Sequence, residues 1–367
     1  MDDLDFFGVC PPGLERYLAQ EVNALGFERG KKEEGGVTMR GPWPEVWRAN
    51  LELRGAVRVL VRIGSFRAVH FNQLEAEAKA FPWADWLTPD VPVRVEAATN
   101  KSKLYHAGAV KGRFETALER SLGCEVGTHG EVTLKVRIDR NLVTLSLDSS
   151  GESLHKRGQK GFTGKAPLRE SLGALLLRAC GYDGSEPLVD PMCGSGTFLL
   201  EGAGSAAGLQ PGRGRGFAFQ SFPSFDADAF ARLIRPEPSR PAPAHFYGYD
   251  RDQGAIKGAA ANAAAHGLSD AISLSCQPVS ALTAPTTTPG LVIVNPPYGD
   301  RIGKPGSLIG LYSALGARLR EHFGGWRVGI VTTDAKLAHA TGLDLTSGPV
   351  IDNGGLKVKL YQGKIGG

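Results

Sequence analysis

The chain has 367 residues, 42% of them hydrophobic and 22% charged, with a formal net charge of +4. This is the composition of a soluble globular protein with room for two or three domains, and the charge is spread so evenly between the two halves that it neither reveals nor excludes a nucleic-acid partner. Five scattered cysteines (Cys10, Cys124, Cys180, Cys193 and Cys276) form no Cys-x-x-Cys pair, so no metal site or disulfide framework is expected and a reducing cytoplasm fits. The acidic start Met-Asp-Asp-Leu-Asp does not suit a signal or transit peptide. No apolar run of about 18 residues is present to cross a membrane.

In chain order, Leu14, Leu18, Val22 and Leu25 fall at helical spacing, with Gly26 as a stop. Val37–Arg40 reads as a strand, 44–54 as a helix, 56–65 and 92–97 as strands, and 109–122 as a helix. Val132–Ile138 and Leu142–Asp148 read as a hairpin turning at Arg140-Asn141. Residues 149–167 are polar and glycine-rich and read as a connection. A helix is predicted over 168–180. After it, strands at 187–192, 245–250, 271–276, 291–294 and 326–332 alternate with helices at 196–207, 254–266 and 307–322. That alternation predicts a doubly wound, mostly parallel sheet covered on both faces, a Rossmann-like α/β domain after an α+β half. A last pair near 348–351 and 356–361 would add antiparallel edge strands. Residues 211–243, rich in Pro, Gly and Arg, read as an inserted loop or partly mobile segment.

The chemistry concentrates at two strand ends. In doubly wound sheets, ligands bind beyond the carboxyl ends of strands. Leu188-Val-Asp-Pro-Met-Cys-Gly-Ser-Gly-Thr197 runs from a strand into a Gly-rich turn and a helix. Asp190 ends the strand, and Met192 and Cys193 follow. Gly194 and Gly196 permit close approach to a ligand, and N–H groups at the Thr197 helix start suit a carboxylate. Asp250 ends a second strand, where an acid can accept both ribose hydroxyls. Pro167-Leu168-Arg-Glu170 opens the preceding helix; Glu170 could face an ammonium or serve as an ordinary first-turn acid. Alone, one Gly-x-Gly equally fits an ordinary strand–helix turn; together with Asp250 and the later Asn295-Pro-Pro-Tyr298 it predicts S-adenosylmethionine (SAM) as cofactor.

The second end is Leu291-Val-Ile-Val-Asn-Pro-Pro-Tyr298. A conjugated amino nitrogen is a poor nucleophile because its lone pair is delocalised. The Asn295 side-chain oxygen and the Pro296 carbonyl could accept its two hydrogens and favour a pyramidal nitrogen aimed at the methyl donor. Pro296 and Pro297 stiffen the loop. Tyr298 offers a face for stacking a base, worth about 1–3 kcal/mol. Arg301 could grip a phosphate or base edge, and Asp300 could receive the released proton. Thr99–Arg113 contains Lys101, Lys103, Lys111 and Arg113 without an acid, interleaved with Tyr105 and His106. That mixture suits a surface tracking an RNA backbone, though a solvated basic loop would read the same way.

These motifs resemble the THUMP-containing RNA guanine-N2 methyltransferases, most closely the bacterial 23S rRNA (guanine-N2)-methyltransferase family, over nearly the whole chain. Gly13-Leu-Glu-Arg-Tyr-Leu18 through Gly26 is similar to the family's ferredoxin-like domain, and Asn100–His106 and Leu147–Gly158 to its THUMP domain. Ala166–Glu170, Asp190–Glu201 and Asn295–Arg301 are similar to its catalytic domain, and Gly212–Phe217 to its insertion. The resemblance implies a ferredoxin-like domain over 1–60, a THUMP RNA-binding domain over 61–155, and a SAM-dependent methyltransferase domain over 156–367 with its insertion near 211–243. It implies methylation of the exocyclic N2 of a guanosine in structured RNA, 23S rRNA first and tRNA second, by a cytoplasmic monomer without metal. One departure is Gln277-Pro278, where relatives often carry an acid for the adenine amino group. Pro278 offers neither an acidic side chain nor an N–H, leaving Gln277 or a backbone group to substitute. The same tetrapeptide chemistry would serve a protein glutamine N5 or DNA adenine N6 methyltransferase, and a non-catalytic RNA-binding factor is the remaining reading.

Overall fold

The computed structural model describes residues 3–158, 161–163, 168–235, 245–298 and 305–366. The chain divides into two compact units. The first comprises Met1–Cys10, Ala19–Leu154 and Arg215–Ile234, and the second Pro11–Leu18, His155–Gly214 and Arg235–Gly367.

The first unit is built on one seven-stranded sheet. Its strands are β1 (Leu4–Val9), β2 (Glu28–Glu33), β3 (Gly36–Gly41), β4 (Arg58–Arg67), β5 (Val93–Asn100), β6 (Val132–Asp139) and β7 (Leu142–Asp148), in the order β2-β3-β1-β4-β7-β6-β5. Only β5 and β6 run parallel, and a parallel pair needs a crossover, which α4 (Ala107–Ser121) supplies. The other helices of this part of the chain are α1 (Glu15–Ala24), α2 (Trp43–Glu52) and α3 (Phe71–Ala80). Val59, Val61 and Ile63 of β4 are buried in alternation, as a strand with one face on a core requires. The β6–β7 hairpin turns at Arg140 and Asn141, whose φ values of 47° and 65° are those of a two-residue left-handed turn.

Three elements here escape the sequence reading: β1, β2 and α3. Strand β2, Glu-Arg-Gly-Lys-Lys-Glu, carries no apolar residue. It is held as an edge strand by backbone pairing to β3, and a charged edge discourages further strands from adding.

The expected loop over 211–243 is corrected by the structure. Within it, Arg215–Ile234 fold as part of the first unit. Phe217, Phe219, Phe225 and Phe230 form an aromatic cluster. Phe219 stacks on Trp47 of α2 at 6.1 Å, and Phe222 meets Trp43 edge-on at 5.7 Å. The Arg215 guanidinium donates to the carbonyls of Ser150, Glu152 and Ser153. Five phenylalanines within fourteen residues outweigh the Pro and Gly content, because aromatic area supplies the driving force for ordering.

The second unit carries α5 (Glu170–Ala179), β8 (Leu188–Asp190), α6 (Thr197–Ala206), β9 (Phe246–Asp250), α8 (Gln253–Ala265), β10 (Ile272–Cys276), β11 (Leu291–Val294), α9 (Pro305–His322), β12 (Arg327–Thr332), α10 (Ala335–Ala340), β13 (Thr346–Ser347), β14 (Ile351–Asn353) and β15 (Leu356–Lys364); α7 (Ala227–Ala231) lies in the aromatic segment of the first. The sheet order is β10-β9-β8-β11-β12-β15-β13, with β14 paired to β15. Strands β8 to β12 are parallel, and β15 is antiparallel to β12. Strand β15, expected at an edge, lies inside the sheet between β12 and β13.

Both sheet faces are covered. Val292 and Val294 of β11 and Val328 and Ile330 of β12 pack in a core with Tyr312, Leu315 and Leu319 of α9. The alternate residues point the other way: a Cβ at Gly329 would come within 2.7 Å of the Cys180 sulfur, just past α5. The chain winds outward from β8 through β9 to β10, then returns to β11 on the other side of β8. The switch point lies between β8 and β11, where a doubly wound fold opens its ligand crevice.

Candidate active site

Asp190 and Asn295 stand at that switch point, one at the end of β8 and the other directly after β11. Asp190 is 3% exposed. One oxygen accepts the Met192 N–H at 3.2 Å. Burial pushes its carboxyl up to about 8, and the charge of Asp250 adds to the rise. Burial likewise raises the Cys193 thiol, with Asp190 and Asp250 contributing.

The turn beyond β8 is fixed by its backbone. Cys193 N–H donates to the Tyr249 carbonyl at 2.8 Å, and Gly196 N–H to the Cys193 carbonyl at 2.7 Å. Gly194 N–H donates to Asp250 Oδ2 at 3.1 Å. Gly194 and Gly196 have φ of 52° and 83°, a region in which glycine is free of the Cβ penalty. A Cβ at Gly194 would meet no atom within 4 Å, so the turn opens onto space on that side. Gly196 caps α6, and Thr197 begins it. The Thr197 hydroxyl lies 3.4 Å from the Leu168 carbonyl. A Cβ at Gly173 of α5 would come within 3.1 Å of the Thr197 methyl, so the starts of α5 and α6 pack together. Glu170 is the first residue of α5; burial lowers the nearby His155 to about 4 while Glu170 opposes that fall.

Asp250 ends β9, and its Oδ1 accepts the Asp252 N–H at 2.9 Å. With one bond on each oxygen, the carboxylate keeps further lone pairs for a ligand. Gln277 N–H donates to the Asp250 carbonyl at 2.9 Å, which brings Gln277 beside Asp250.

At Asn295, Oδ1 is buried and has no hydrogen-bond partner among the described residues. Such an orphaned acceptor is costly in a folded protein and calls for an explanation. Pro296 is buried, and Pro297 and Tyr298 are partly exposed. Two residues from elsewhere hold this loop. Tyr312 Oη on α9 lies 3.4 Å from the Pro297 carbonyl, and Asn353 Nδ2 lies 3.3 Å from Tyr298 Oη.

In the first unit, Lys101, Lys103 and Tyr105 are exposed. Tyr105 is 80% exposed, yet its backbone is fixed, since its carbonyl accepts from Thr99 Oγ1 at 2.8 Å. Lys103 N–H donates to Asn141 Oδ1 at 2.8 Å, tying the loop to the β6–β7 turn. Lys111 and Arg113 are less free. Lys111 lies 3.5 Å from Glu115, and the Arg113 guanidinium sits 3.9 Å from the Phe71 ring centroid. Pro167, Asp300 and Arg301 lie outside the described residues.

Comparison with known proteins supplies the family. The RMKL-like methyltransferase domain matches residues 157–354, the RlmL ferredoxin-like domain residues 5–60, and the THUMP domain residues 68–148. The chain belongs to the RMKL-like methyltransferase family. It is 33% identical over 380 residues to the ribosomal RNA large subunit methyltransferase K/L of Syntrophotalea carbinolica, covering 98% of this chain and 53% of that protein. The chain therefore spans about half the length of the curated relatives of that name. It is 31% identical to slr0064 of Synechocystis sp., named as a candidate RNA methyltransferase, with 97% of this chain and 96% of that protein covered. The crystal structure of SMU.472 complexed with S-adenosylhomocysteine (SAH) matches with a TM-score of 0.85 at 26% identity, covering 99% of this chain and 98% of the other.

The fold of this chain is thus that of the SAM-dependent methyltransferases, and its residues fit such a cofactor. The open Gly194 turn, the buried Asp190 carboxyl and the free lone pairs of Asp250 are three features a zwitterionic nucleoside can use. Among the described residues there is no cluster of His, Cys, Asp and Glu that could hold a metal, and no helix long and apolar enough to cross a membrane.

The sequence reading missed four residues around the site. Tyr312 reads as core, because it continues the Leu308, Leu315, Leu319 stripe. Asn353 reads as a turn residue before Gly354-Gly355. Asn262 is a single polar residue in an alanine-rich helix. Arg157 sits in a run taken as a connection, yet it is 4% exposed and forks onto Glu201 of α6 at 3.1 and 3.2 Å.

Proposed function

We propose that this chain methylates the exocyclic N2 of a guanosine in large-subunit ribosomal RNA. The observation that carries the reading is the buried, unpartnered Asn295 Oδ1 at the switch point of a SAM-methyltransferase sheet. A planar amino group supplies the donor that this acceptor lacks. The substrate class rests on the THUMP match and on the name of the K/L relatives.

Asp190 and Glu170 bind the amino-acid end of the cofactor beside the Gly194–Gly196 turn, with Leu168, Met192, Cys193 and Thr197 shaping its surroundings and Pro167 before Leu168 in sequence. Asp250 holds the ribose, and Gln277 lies beside it toward the base. Bound SAM supplies an electrophilic sulfonium methyl. Asn295 Oδ1 and the Pro296 carbonyl accept the two amino hydrogens and orient the nitrogen lone pair. Pro297 stiffens the loop, and Tyr298 stacks the base. No strong base is required, because the methylated nitrogen is cationic and releases a proton readily. Lys101, Lys103 and Tyr105 form the RNA contact, with Lys111, Arg113 and Arg301 as further candidates.

Nucleoside mass spectrometry tests this. Purified protein and isotope-labelled SAM are incubated separately with unmodified 23S rRNA and unmodified tRNA, and each RNA is digested. Labelled N2-methylguanosine from rRNA is the expected product. The same nucleoside from tRNA alone would move the substrate, and label on adenosine would overturn the assignment of the pocket.

A further inference from the structure

Asn262 of α8 is 1% exposed, and every hydrogen-bonding group its amide offers along one edge is engaged. Its Oδ1 accepts the Phe162 N–H at 3.0 Å, and its Nδ2 donates to the Phe162 carbonyl and to the Ser195 carbonyl, each at 3.0 Å. One side chain therefore joins two separate pieces of chain. Ser195 is the middle residue of the Gly194-Ser195-Gly196 turn. Phe162 lies eight positions before Glu170, the first residue of α5.

The Phe162 ring occupies the helix face one turn before Asn262. A Cβ at Gly258 would lie 2.2 Å from that ring, and residues four apart share a helix face. Backbone and ring of Phe162 are thus both seated on α8.

On the other side, the grip on Ser195 matters because the peptide unit is planar. Fixing the Ser195 carbonyl fixes the Gly196 N–H, which donates to the Cys193 carbonyl at 2.7 Å. With Gly194 N–H held by Asp250, Asn262 completes the set of bonds that orient this turn.

We propose that Asn262 is a positioning residue that couples the 161–163 segment to the cofactor turn, so that cofactor binding at the turn and seating of Phe162 on α8 strengthen one another. Such coupling is reciprocal by thermodynamic necessity. The inference rests on reading the Gly194–Thr197 turn as part of the cofactor site.

The test uses the full chain, SAH as ligand, calorimetry, and hydrogen exchange at the Phe162 amide. In the native protein SAH is expected to bind and to slow exchange at Phe162. In Asn262→Ala, SAH is expected to bind about 10-fold more weakly, the scale of losing buried hydrogen bonds, and to leave Phe162 exchange unslowed. The kcat at saturating SAM is expected within about twofold of native, because a ground-state contact acts on KM. Asn262→Asp adds a readout that a purely structural role would not move. As a carboxylate it faces two carbonyl oxygens and repels them; once protonated it donates to one of them. Its SAH dissociation constant relative to native is expected to fall as pH is lowered, while the Asn262→Ala ratio stays flat. His266 and Asp190 are present in all three proteins and largely cancel in these ratios. If native protein fails to bind SAH, the cofactor reading falls, and this inference with it. If native protein binds SAH but Asn262→Ala binds equally well, or SAH slows Phe162 exchange equally in both, the coupling alone is overturned.

Discussion

The Asp250 carboxylate accepts the Gly194 N–H at 3.1 Å, so the acid at the end of β9 braces the glycine turn at the end of β8. The charge that would hold a ribose thus also shapes the turn beside it. Asp250→Asn keeps an acceptor oxygen but loses charge, and is expected to weaken SAH binding about 10-fold, whereas Asp250→Ala removes the brace as well and should weaken it further. Calorimetric titration of both variants checks the order; equal affinities would separate the turn from Asp250.

Asp190 predicts a pH dependence. Its carboxyl is pushed up to about 8 by burial, which favours the protonated form in the ligand-free protein. A cationic ammonium favours the carboxylate, so SAH affinity is expected to rise with pH to about 8 and level off, with proton release on binding below that point. Folding shows the matching effect. The folded value lies above the ordinary 3.8, so the native state binds the extra proton between about pH 4 and 8, and this group's contribution to ligand-free stability falls across that window. Calorimetry in buffers of different ionisation enthalpy measures the release. Asp190→Asn should abolish it, and native affinity independent of pH would contradict the assignment.

The Asn-Pro-Pro-Tyr loop is held by Tyr312, whose ring is buried and whose Oη lies 3.4 Å from the Pro297 carbonyl. Tyr312→Phe keeps the ring and removes only the hydroxyl. A loss of kcat of about 10-fold is expected with SAH affinity unchanged, the size of one hydrogen bond expressed in the transition state. An unchanged kcat would mean that the Tyr312 hydroxyl does not hold the loop.

In the exposed loop after β5, reversal of Lys101 and Lys103 to Glu is expected to weaken RNA binding and spare SAH binding. The slope of log affinity against log salt should become shallower by roughly 1 for each phosphate that is no longer neutralised. Filter binding across a salt series reads both quantities, and an unaltered slope would remove this loop from the interface.

Phe219 is fully buried and touches Trp47, Phe217, Phe225 and Phe230. Phe219→Ala is expected to destabilise the protein by about 3–5 kcal/mol, read from denaturant unfolding. A loss below about 1 kcal/mol would mean that the segment adds little to the first unit.

The parts of the fold that were legible are those where one stretch of chain carries its own signal. The β8 turn, the β9 acid, the β11 loop and the β6–β7 hairpin each combine an apolar strand with a breaker of defined geometry. The Arg140-Asn141 turn was readable for that reason, and its two positive φ values bear the reading out. Strand β2 was illegible because it carries no apolar residue, and its ion pairs to Asp5 and Arg62 join residues far apart in sequence. The aromatic segment was misread because its composition speaks for a loop, while its ordering depends on Trp43 and Trp47 far away in sequence. The same limit applies around the candidate site. Asp250 and Asn295 lie at strand ends, where sequence and place coincide, but Asn262, Tyr312 and Asn353 act through neighbours that no local pattern encodes.

The aromatic segment has a consequence for inheritance. The first unit draws residues 215–234 from the middle of the catalytic sequence, so no single cut yields either unit whole. A gene fragment ending near residue 154 would lack the phenylalanines that cover Trp43 and Trp47, and a fragment starting there would carry them with nothing to cover. Recombination at one point between residues 154 and 215 would part these phenylalanines from the tryptophans they cover. The first unit is inherited whole only when the stretch up to residue 154 and the stretch 215–234 travel together.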